Sequence, residues 1–156
     1  MAIKFTSHTT EQTILFGTNL VRYLSAGDVL ALEGGLGAGK TTLTKGIAKG
    51  LGISELISSP TFTLIKEYDG KLPFYHIDAY RLHDHDDIDF LEEYLNGDGI
   101  TVVEWASKIK HILPPKTINI EIELVGKSRI ISISGKHQII GSLTHLDLIV
   151  QEELPQ

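Results

Sequence analysis

The chain contains no cysteine, which excludes a disulfide framework and thiolate chemistry and fits a reducing cytosol. No apolar run approaches the length needed to cross a bilayer, and the first residues lack the apolar stretch of a signal peptide. Basic residues number 14 against 20 acidic ones, and the formal net charge of −6 argues against a large nucleic-acid footprint on this chain. We therefore expect a cytoplasmic protein that has neither a membrane nor DNA as a partner.

The most informative motif that is present is a phosphate-binding loop. Residues 34–41 read Gly-Gly-Leu-Gly-Ala-Gly-Lys-Thr and match the pattern G-x-x-x-x-G-K-[ST]. An apolar strand pattern precedes the loop and a helical pattern follows it, which is the context that the motif needs. In such a loop Lys40 reaches the β- and γ-phosphates, and the Thr41 hydroxyl binds Mg²⁺. The residues expected to contact the nucleotide are Gly35, Leu36, Gly37, Ala38, Gly39, Lys40, Thr41 and Thr42.

The remaining pattern predicts one α/β domain over residues 1–156 with a P-loop NTPase fold. We expect a central, largely parallel twisted sheet flanked by helices, with an antiparallel hairpin late in the chain. Strands are predicted near residues 3–7, 28–33, 61–68, 72–80, 100–103, 118–124 and 129–134. Helices are predicted near residues 10–24, 42–49 and 84–95, with a short helical stretch after Trp105.

Two of the apolar strands run into carboxylates, Asp78 and Glu104. In open α/β sheets ligands bind beyond the carboxyl ends of the strands. If either strand lies beside the strand that precedes the loop, its carboxylate faces the Mg²⁺ and the γ-phosphate. One acid can then hold the metal while the other orients the attacking water, and the residues alone leave open which acid does which.

Between the loop helix and the next strand lies Ser59-Pro60-Thr61. In P-loop hydrolases this position often holds a switch segment that the γ-phosphate and Mg²⁺ order. An ordinary proline turn is the alternative reading of the same residues.

Two further absences narrow the nucleotide chemistry. The guanine-reading sequence Asn-Lys-x-Asp does not occur, which favours adenine. Only three arginines are present, Arg22, Arg81 and Arg129, whereas small-molecule kinases usually need an arginine-bearing lid. A small-molecule kinase is therefore disfavoured, and an adaptor that binds ATP without hydrolysing it stays open as a third function.

Four segments in order resemble the TsaE (YjeE) family. They are Leu-Gly-Ala-Gly-Lys-Thr-Thr at 36–42, Ser-Pro-Thr-Phe-Thr-Leu at 59–64, Tyr-His-Ile-Asp-Ala-Tyr-Arg-Leu at 75–82 and Val-Glu-Trp at 103–105. The resemblance covers about residues 7 to 135. It implies the ATPase subunit of the bacterial tRNA threonylcarbamoyladenosine system, which acts with TsaD and TsaB on the adenosine beside the anticodon of tRNAs reading ANN codons. TsaE is not the transferase, and its hydrolysis of ATP to ADP is expected to be weak alone and to reset the complex.

By this resemblance Lys40 and Thr41 bind phosphate and Mg²⁺, and Glu104 supports the metal. Asp78 is the candidate for positioning water. The resemblance favours Ser59, Pro60 and Thr61 as the switch. It also places Trp105, Thr10 and Arg129 near the nucleotide. One departure is that Gly35 replaces an aspartate that the family usually has, so any role of that carboxylate is absent from this loop.

Overall fold

The computed structural model describes residues 2–60 and 62–135, which form a mixed seven-stranded sheet flanked by helices. The strands are β1 (Ala2–Ser7), β2 (Val29–Glu33), β3 (Ile65–Asp69), β4 (Pro73–Asp78), β5 (Ile100–Glu104), β6 (Ile118–Val125) and β7 (Ser128–Ser134). The helices are α1 (Thr10–Leu20), α2 (Lys40–Gly50) and α3 (Glu92–Leu95), with 3₁₀ segments at Val21–Tyr23, Asp89–Leu91 and Ala106–Ile112. No helix in these two ranges is long and apolar enough to span a bilayer.

The strand order is β1-β7-β6-β2-β5-β4-β3. The middle of the sheet is parallel, because β2 pairs in parallel with both β5 and β6, and β5 pairs in parallel with β4. The two edges are antiparallel, through β1 with β7, β7 with β6, and β3 with β4. The predicted α/β class, with its parallel centre and late hairpin, is confirmed.

Both faces of the sheet are covered, and β2 is buried on both sides as a central parallel strand should be. On one face α1 and α2 pack over a large core that includes Phe16, Leu30 and Ile47. On the other face the short helical segments after β4 and β5 cover a smaller core that includes Val103 and Leu91. The carboxyl ends of β2, β4 and β5 therefore open onto one edge between two packed layers.

Helix α1 begins as the sequence predicts and packs closely on α2. The Thr9 hydroxyl accepts a hydrogen bond from the Gln12 N–H at 3.1 Å, which caps the helix. Gly46 of α2 lies so close to α1 that a Cβ atom at this position would meet the Ile14 carbonyl oxygen at 2.3 Å. The Thr18 hydroxyl donates across the same contact to the Gly46 carbonyl at 3.1 Å.

The prediction of a helix over residues 84–95 is wrong in its first half. Residues 84–88 form turns, and helical structure begins only at Asp89. Aspartate side chains bind nearby backbone N–H groups here: Asp86 accepts from His83 N at 2.7 Å, and Asp87 accepts from Asp89 N at 3.1 Å. Such local bonds compete with the helical ladder, so the acidic run forms turns instead of a first helical turn.

Candidate functional site

The phosphate-binding loop connects β2 to α2, as the sequence predicts. Gly37 and Gly39 adopt φ angles of 75° and 116°, in the left-handed region that glycine tolerates at little cost. Gly39 also stands at the N-terminus of α2, where the first N–H groups of a helix have no partner in the helix itself. The loop and the helix end together form a site suited to an anion.

Lys40 is held inside the loop, with only 5% of its surface exposed. Its Nζ donates to the carbonyl oxygens of Gly34 at 2.5 Å and Gly35 at 3.0 Å. The same nitrogen lies 4.0 Å from the centre of the Trp105 ring, a cation–π distance. Burial lowers the pKa of Lys40 from its ordinary value of 10.5, against the opposing effects of nearby carboxylates, chiefly Glu104.

The two carboxylates predicted from strand ends lie at the same sheet edge. Asp78 and Glu104 are register partners in the parallel pair of β4 and β5. The strand that ends in Glu104 is the direct neighbour of β2, whereas the strand that ends in Asp78 lies one strand further away. The two acids therefore differ in their distance from the loop strand, which the sequence could not resolve.

Glu104 is 3% exposed and both of its carboxylate oxygens are engaged. The Thr41 hydroxyl donates to Oε1 at 3.0 Å, and His76 Nε2 lies 2.5 Å from Oε2. Because Thr41 is in the first turn of α2 and Glu104 ends β5, this contact joins the loop helix to the strand beside β2. A hydroxyl and a carboxylate meet here next to the phosphate loop.

Asp78 is half-buried and is bound to the predicted switch segment. Its carboxylate accepts a hydrogen bond from the Ser59 hydroxyl through Oδ2 and one from the Tyr80 N–H at 3.0 Å through Oδ1. Its own N–H donates to the Leu64 carbonyl at 2.9 Å. Pro60 is buried, and its carbonyl accepts from the Leu64 N–H at 3.1 Å. Thr61 lies outside the described residues.

A cavity of about 390 Å³ opens over the loop. The predicted residues that line it are Leu36, Gly37, Ala38, Gly39, Lys40, Thr41, Thr42, Ser59, Asp78, Glu104, Trp105 and Arg129. Gly35, Pro60 and Thr10 are not part of the lining. Thr10 is the exposed first residue of α1, and its assignment to the nucleotide stays a prediction.

Arg129 reaches the loop from β7 at the far end of the chain. Its Nε donates to the Ala38 carbonyl at 2.8 Å, and one terminal nitrogen lies 3.4 Å from the Gly37 carbonyl. The late hairpin thus braces the loop backbone, a contact between residues more than 90 positions apart that sequence spacing could not predict.

Three residues of the site were given no role by sequence reasoning. Tyr80 and Arg81 line the cavity, and Tyr80 packs on Trp105 with ring centroids 4.9 Å apart. His76 does not line the cavity but contacts Glu104 from within the sheet. The available signal was the alternation in β4, which puts His76 on the same face as Asp78, two residues before the acid.

Comparisons with known proteins agree with this geometry. A model of the family described as "Threonylcarbamoyl adenosine biosynthesis protein TsaE" matches residues 7–131. The "tRNA threonylcarbamoyladenosine biosynthesis protein TsaE" of Bacillus subtilis (strain 168) is 47% identical over 125 residues, which is 80% of this chain and 79% of that protein. The protein of the same name from Treponema pallidum (strain Nichols) is 41% identical over 121 residues, covering 76% of this chain and 90% of that protein.

A solved structure extends the likeness to the fold. The crystal structure of YdiB from Bacillus subtilis superposes with a TM-score of 0.83 at 38% sequence identity, covering 94% of this chain and 97% of that chain. The family match spans the phosphate loop, both strand-end acids and Arg129. The chain therefore belongs to the TsaE family.

Proposed function

We propose that this protein is an ATPase subunit of the machinery that makes threonylcarbamoyladenosine in tRNA. The observation that carries the proposal is the meeting of Lys40, Thr41 and Glu104 at the N-terminus of α2, with the Thr41 hydroxyl 3.0 Å from the Glu104 carboxylate. The names of the relatives in Bacillus subtilis and Treponema pallidum support the biosynthetic setting. By the same likeness, TsaD and TsaB are the proposed protein partners, and the cytoplasm is the proposed compartment.

Binding of the triphosphate would use the loop backbone and one amine. The N–H groups between Gly37 and Thr42 surround the phosphates, and the dipole of α2 favours their negative charge. Lys40 Nζ is already directed across the loop by the Gly34 and Gly35 carbonyls. Because the amine is buried, its attraction for the β- and γ-phosphates is screened less than at the surface. The missing guanine-reading motif supports adenine as the base.

The residues present also fit a magnesium ion. Mg²⁺ is usually held by one or two protein oxygens together with phosphate and water, and the Thr41 hydroxyl and the Glu104 carboxylate are such a pair. Within the described residues no group of three or more histidine, aspartate or glutamate side chains could hold a metal without a substrate. When bound, the ion would neutralise charge that develops on the β- and γ-phosphates.

Of the two acids, we assign Asp78 to the attacking water and Glu104 to the metal. Glu104 ends the strand directly beside β2 and accepts from the Thr41 hydroxyl, whereas Asp78 ends the strand one place further away and accepts from Ser59. Asp78 would orient the water so that the water oxygen attacks the γ-phosphorus in line with the leaving group. The bond that breaks joins the γ-phosphorus to the oxygen that bridges it to the β-phosphate. ADP and inorganic phosphate leave as the products.

The proposed hydrolysis serves regulation of a complex and not group transfer by this chain. The chain has only three arginines with which to bind an acceptor, and one of them, Arg129, holds the backbone of the loop. With a net charge of −6, contact with tRNA would come through the partner proteins. Turnover by the isolated chain is expected to be slow and to rise in the complex with TsaB and TsaD.

The test is ATP hydrolysis by the chain alone and with the TsaB–TsaD pair of the same organism, comparing Lys40→Ala with Lys45→Ala. Lys45 is an exposed lysine on the same helix, so it controls for the loss of a positive charge on α2. We expect partner-stimulated turnover that Lys40→Ala lowers by about 100-fold or more and Lys45→Ala leaves unchanged. ATP binding without turnover in every mixture would instead favour a non-catalytic adaptor, and an acceptor-dependent rate without partners would favour a kinase.

A further inference from the structure

His76 is a fully buried imidazole in the middle of β4, with 0% of its surface exposed. Its Nε2 lies 2.5 Å from Oε2 of Glu104, which is itself only 3% exposed. The proposed hydrolysis uses Glu104 but assigns nothing to His76. Burial of a polar ring costs free energy, because the ring loses its hydration, unless a hydrogen bond offsets that loss.

The surroundings of the ring leave Glu104 as its main polar partner. Phe74 stacks beside the ring, with centroids 6.4 Å apart and the planes inclined by 22°. Nδ1 is buried and has no hydrogen-bond partner among the described residues. The register places Val102 of β5 and Lys66 of β3 on either side of His76. An apolar side chain would suit this position for packing alone, so the contact of Nε2 with Glu104 distinguishes histidine from such a residue.

The geometry points to His76 as a positioning residue for Glu104, an inference that rests on the proposed function of that acid. His76 donates through Nε2 to Oε2 and so fixes the rotation of the carboxylate. Oε1 is thereby turned toward the Thr41 hydroxyl and the place where Mg²⁺ would lie. Residues behind a metal ligand commonly act in this way, and their loss usually lowers metal affinity about 10- to 100-fold.

A second physical consequence concerns Lys40. Glu104 is the acid that most opposes the lowering of the pKa of Lys40 by burial, so the two groups interact across the loop. A carboxylate released from His76 could rotate toward the ammonium group of Lys40 and compete with the phosphates for it. His76 therefore keeps Glu104 available to the metal and keeps Lys40 available to the nucleotide.

The experiment compares His76→Leu, which removes the donor, with His76→Gln, whose Nε2 reaches a similar position. Phe74→Leu is the packing control, because Phe74 is equally buried on the same face of β4 and its side chain has no hydrogen-bonding group. Thermal unfolding without nucleotide first establishes that each variant is folded. ADP binding is then followed by the fluorescence of Trp105, the only tryptophan, over a range of Mg²⁺ concentrations.

We expect His76→Leu to raise the Mg²⁺ concentration needed for half of the metal-dependent gain in ADP affinity by about 10- to 100-fold. His76→Gln should need nearly the same Mg²⁺ concentration as the wild type, and Phe74→Leu should show no shift. In a Glu104→Gln background the effect of His76→Leu should disappear, since the two residues act through one contact. The readout concerns metal-dependent binding, which a purely structural role for His76 would leave unchanged.

Equal Mg²⁺ requirements for the wild type and folded His76→Leu would overturn the inference, as would a shift that persists in the Glu104→Gln background. If His76→Leu does not fold, His76→Gln decides the question: a Mg²⁺ requirement of this variant that differs from that of the wild type would overturn the inference. Failure of the proposed function is recorded separately. In that case ATP is not hydrolysed with TsaB and TsaD, although ADP binding still depends on Mg²⁺ through His76 and Glu104.

Discussion

At the scale of single residues, Trp105 has an unusual backbone. Its φ of 58° and ψ of 43° lie in the left-handed region, which is costly for a bulky side chain. Its N–H donates to the Leu32 carbonyl at 3.1 Å, so pairing with β2 helps to hold the conformation. The turn directs the indole ring over Lys40 instead of continuing β5. Backbone strain is thus located directly after Glu104, at the mouth of the cavity.

Lys40 should reduce stability while it supports the proposed chemistry. Because burial lowers its pKa, the folded chain binds the Lys40 proton less tightly than the unfolded chain does. The free energy of unfolding is therefore lowered at neutral pH. This cost fades as the pH rises from the lowered pKa toward 10.5. We predict that Lys40→Met abolishes turnover yet is at least as resistant to denaturant as the wild type at about pH 7.

Denaturant titrations at about pH 7 and about pH 10 test the sign of this effect. The stability advantage of Lys40→Met should shrink at the higher pH, and Lys45→Met, at an exposed position on the same helix, should show no such trend. A clear destabilisation by Lys40→Met at neutral pH would mean that the bonds of Lys40 to the loop carbonyls outweigh the cost of its burial.

Much of the site could be predicted at this scale, because each chemical group has a local signal. The phosphate loop is a contiguous motif, and Asp78 and Glu104 each follow an apolar strand. His76 and Arg129 carry no comparable signal. Their partners lie 28 and 91 positions away in the chain, so their contacts depend on strand pairing that no local pattern specifies.

At the scale of elements, the packing of α1 on α2 depends on glycine. A Cβ at Gly46 would lie 2.3 Å from the Ile14 carbonyl oxygen, and backbone cannot move aside as a flexible side chain can. We predict that Gly46→Ala lowers the free energy of unfolding by about 2 kcal/mol or more through overpacking. Urea denaturation should show a lower midpoint, with a slope that stays the same if folding remains two-state.

Gly35→Ala is the matched control for this prediction. A Cβ at Gly35 meets nothing within 4 Å, so the same chemical change should be neutral or slightly stabilising for the fold. Equal stability of the two variants would show that the helices separate easily and that the close contact contributes little.

Elements with clear capping, turn or periodicity signals were predictable from the sequence. The segment that is shaped by hydrogen bonds from side chains to the backbone was not. The helix that begins at Thr10 and the late hairpin follow their capping and turn signals. The predicted helix over residues 84–95 has a helical spacing of apolar residues, with Ile88, Leu91 and Leu95 buried as expected. Its aspartates nevertheless bind nearby backbone N–H groups, and that local competition is not visible in hydrophobic periodicity.

At the scale of the whole molecule, the negative charge should decide how the chain meets RNA. We predict that the isolated chain binds tRNA no more tightly than about 100 µM at physiological salt, weaker than most non-specific binders. Fluorescence anisotropy with labelled tRNA at about 50 and about 200 mM salt measures this. Charge reversal of the exposed Lys45 and Lys49 should change the result little.

Tight binding that is lost on this charge reversal would contradict the prediction and identify α2 as an RNA-contacting face. The complex with TsaB and TsaD supplies the positive control, because the proposed function requires that assembly to engage tRNA.

The order of the strands is the property of the whole molecule that the sequence left open. Strands β2, β5 and β4 are neighbours in space but are separated along the chain by helices and a hairpin. Pairing across such distances follows from burial of both sheet faces together, so it emerges only from the complete fold. The α/β class could be predicted without the strand order. The contact of Glu104 with Thr41 could not, because it depends on β5 lying beside β2.

Ser59 and Leu64 are both fastened to Asp78, one by a side chain and the other by the backbone. Asp78 therefore holds Ser59 through its carboxylate and Leu64 through its backbone N–H. The two hydrogen bonds are separable by mutation, because Asp78→Asn changes the side-chain bond to Ser59 and leaves the backbone bond to Leu64 in place. Slower hydrolysis by Asp78→Asn would combine the loss of the carboxylate with the change in its bond to Ser59. Ser59→Ala removes that bond and leaves the acid in place, so the comparison of the two variants separates the two effects.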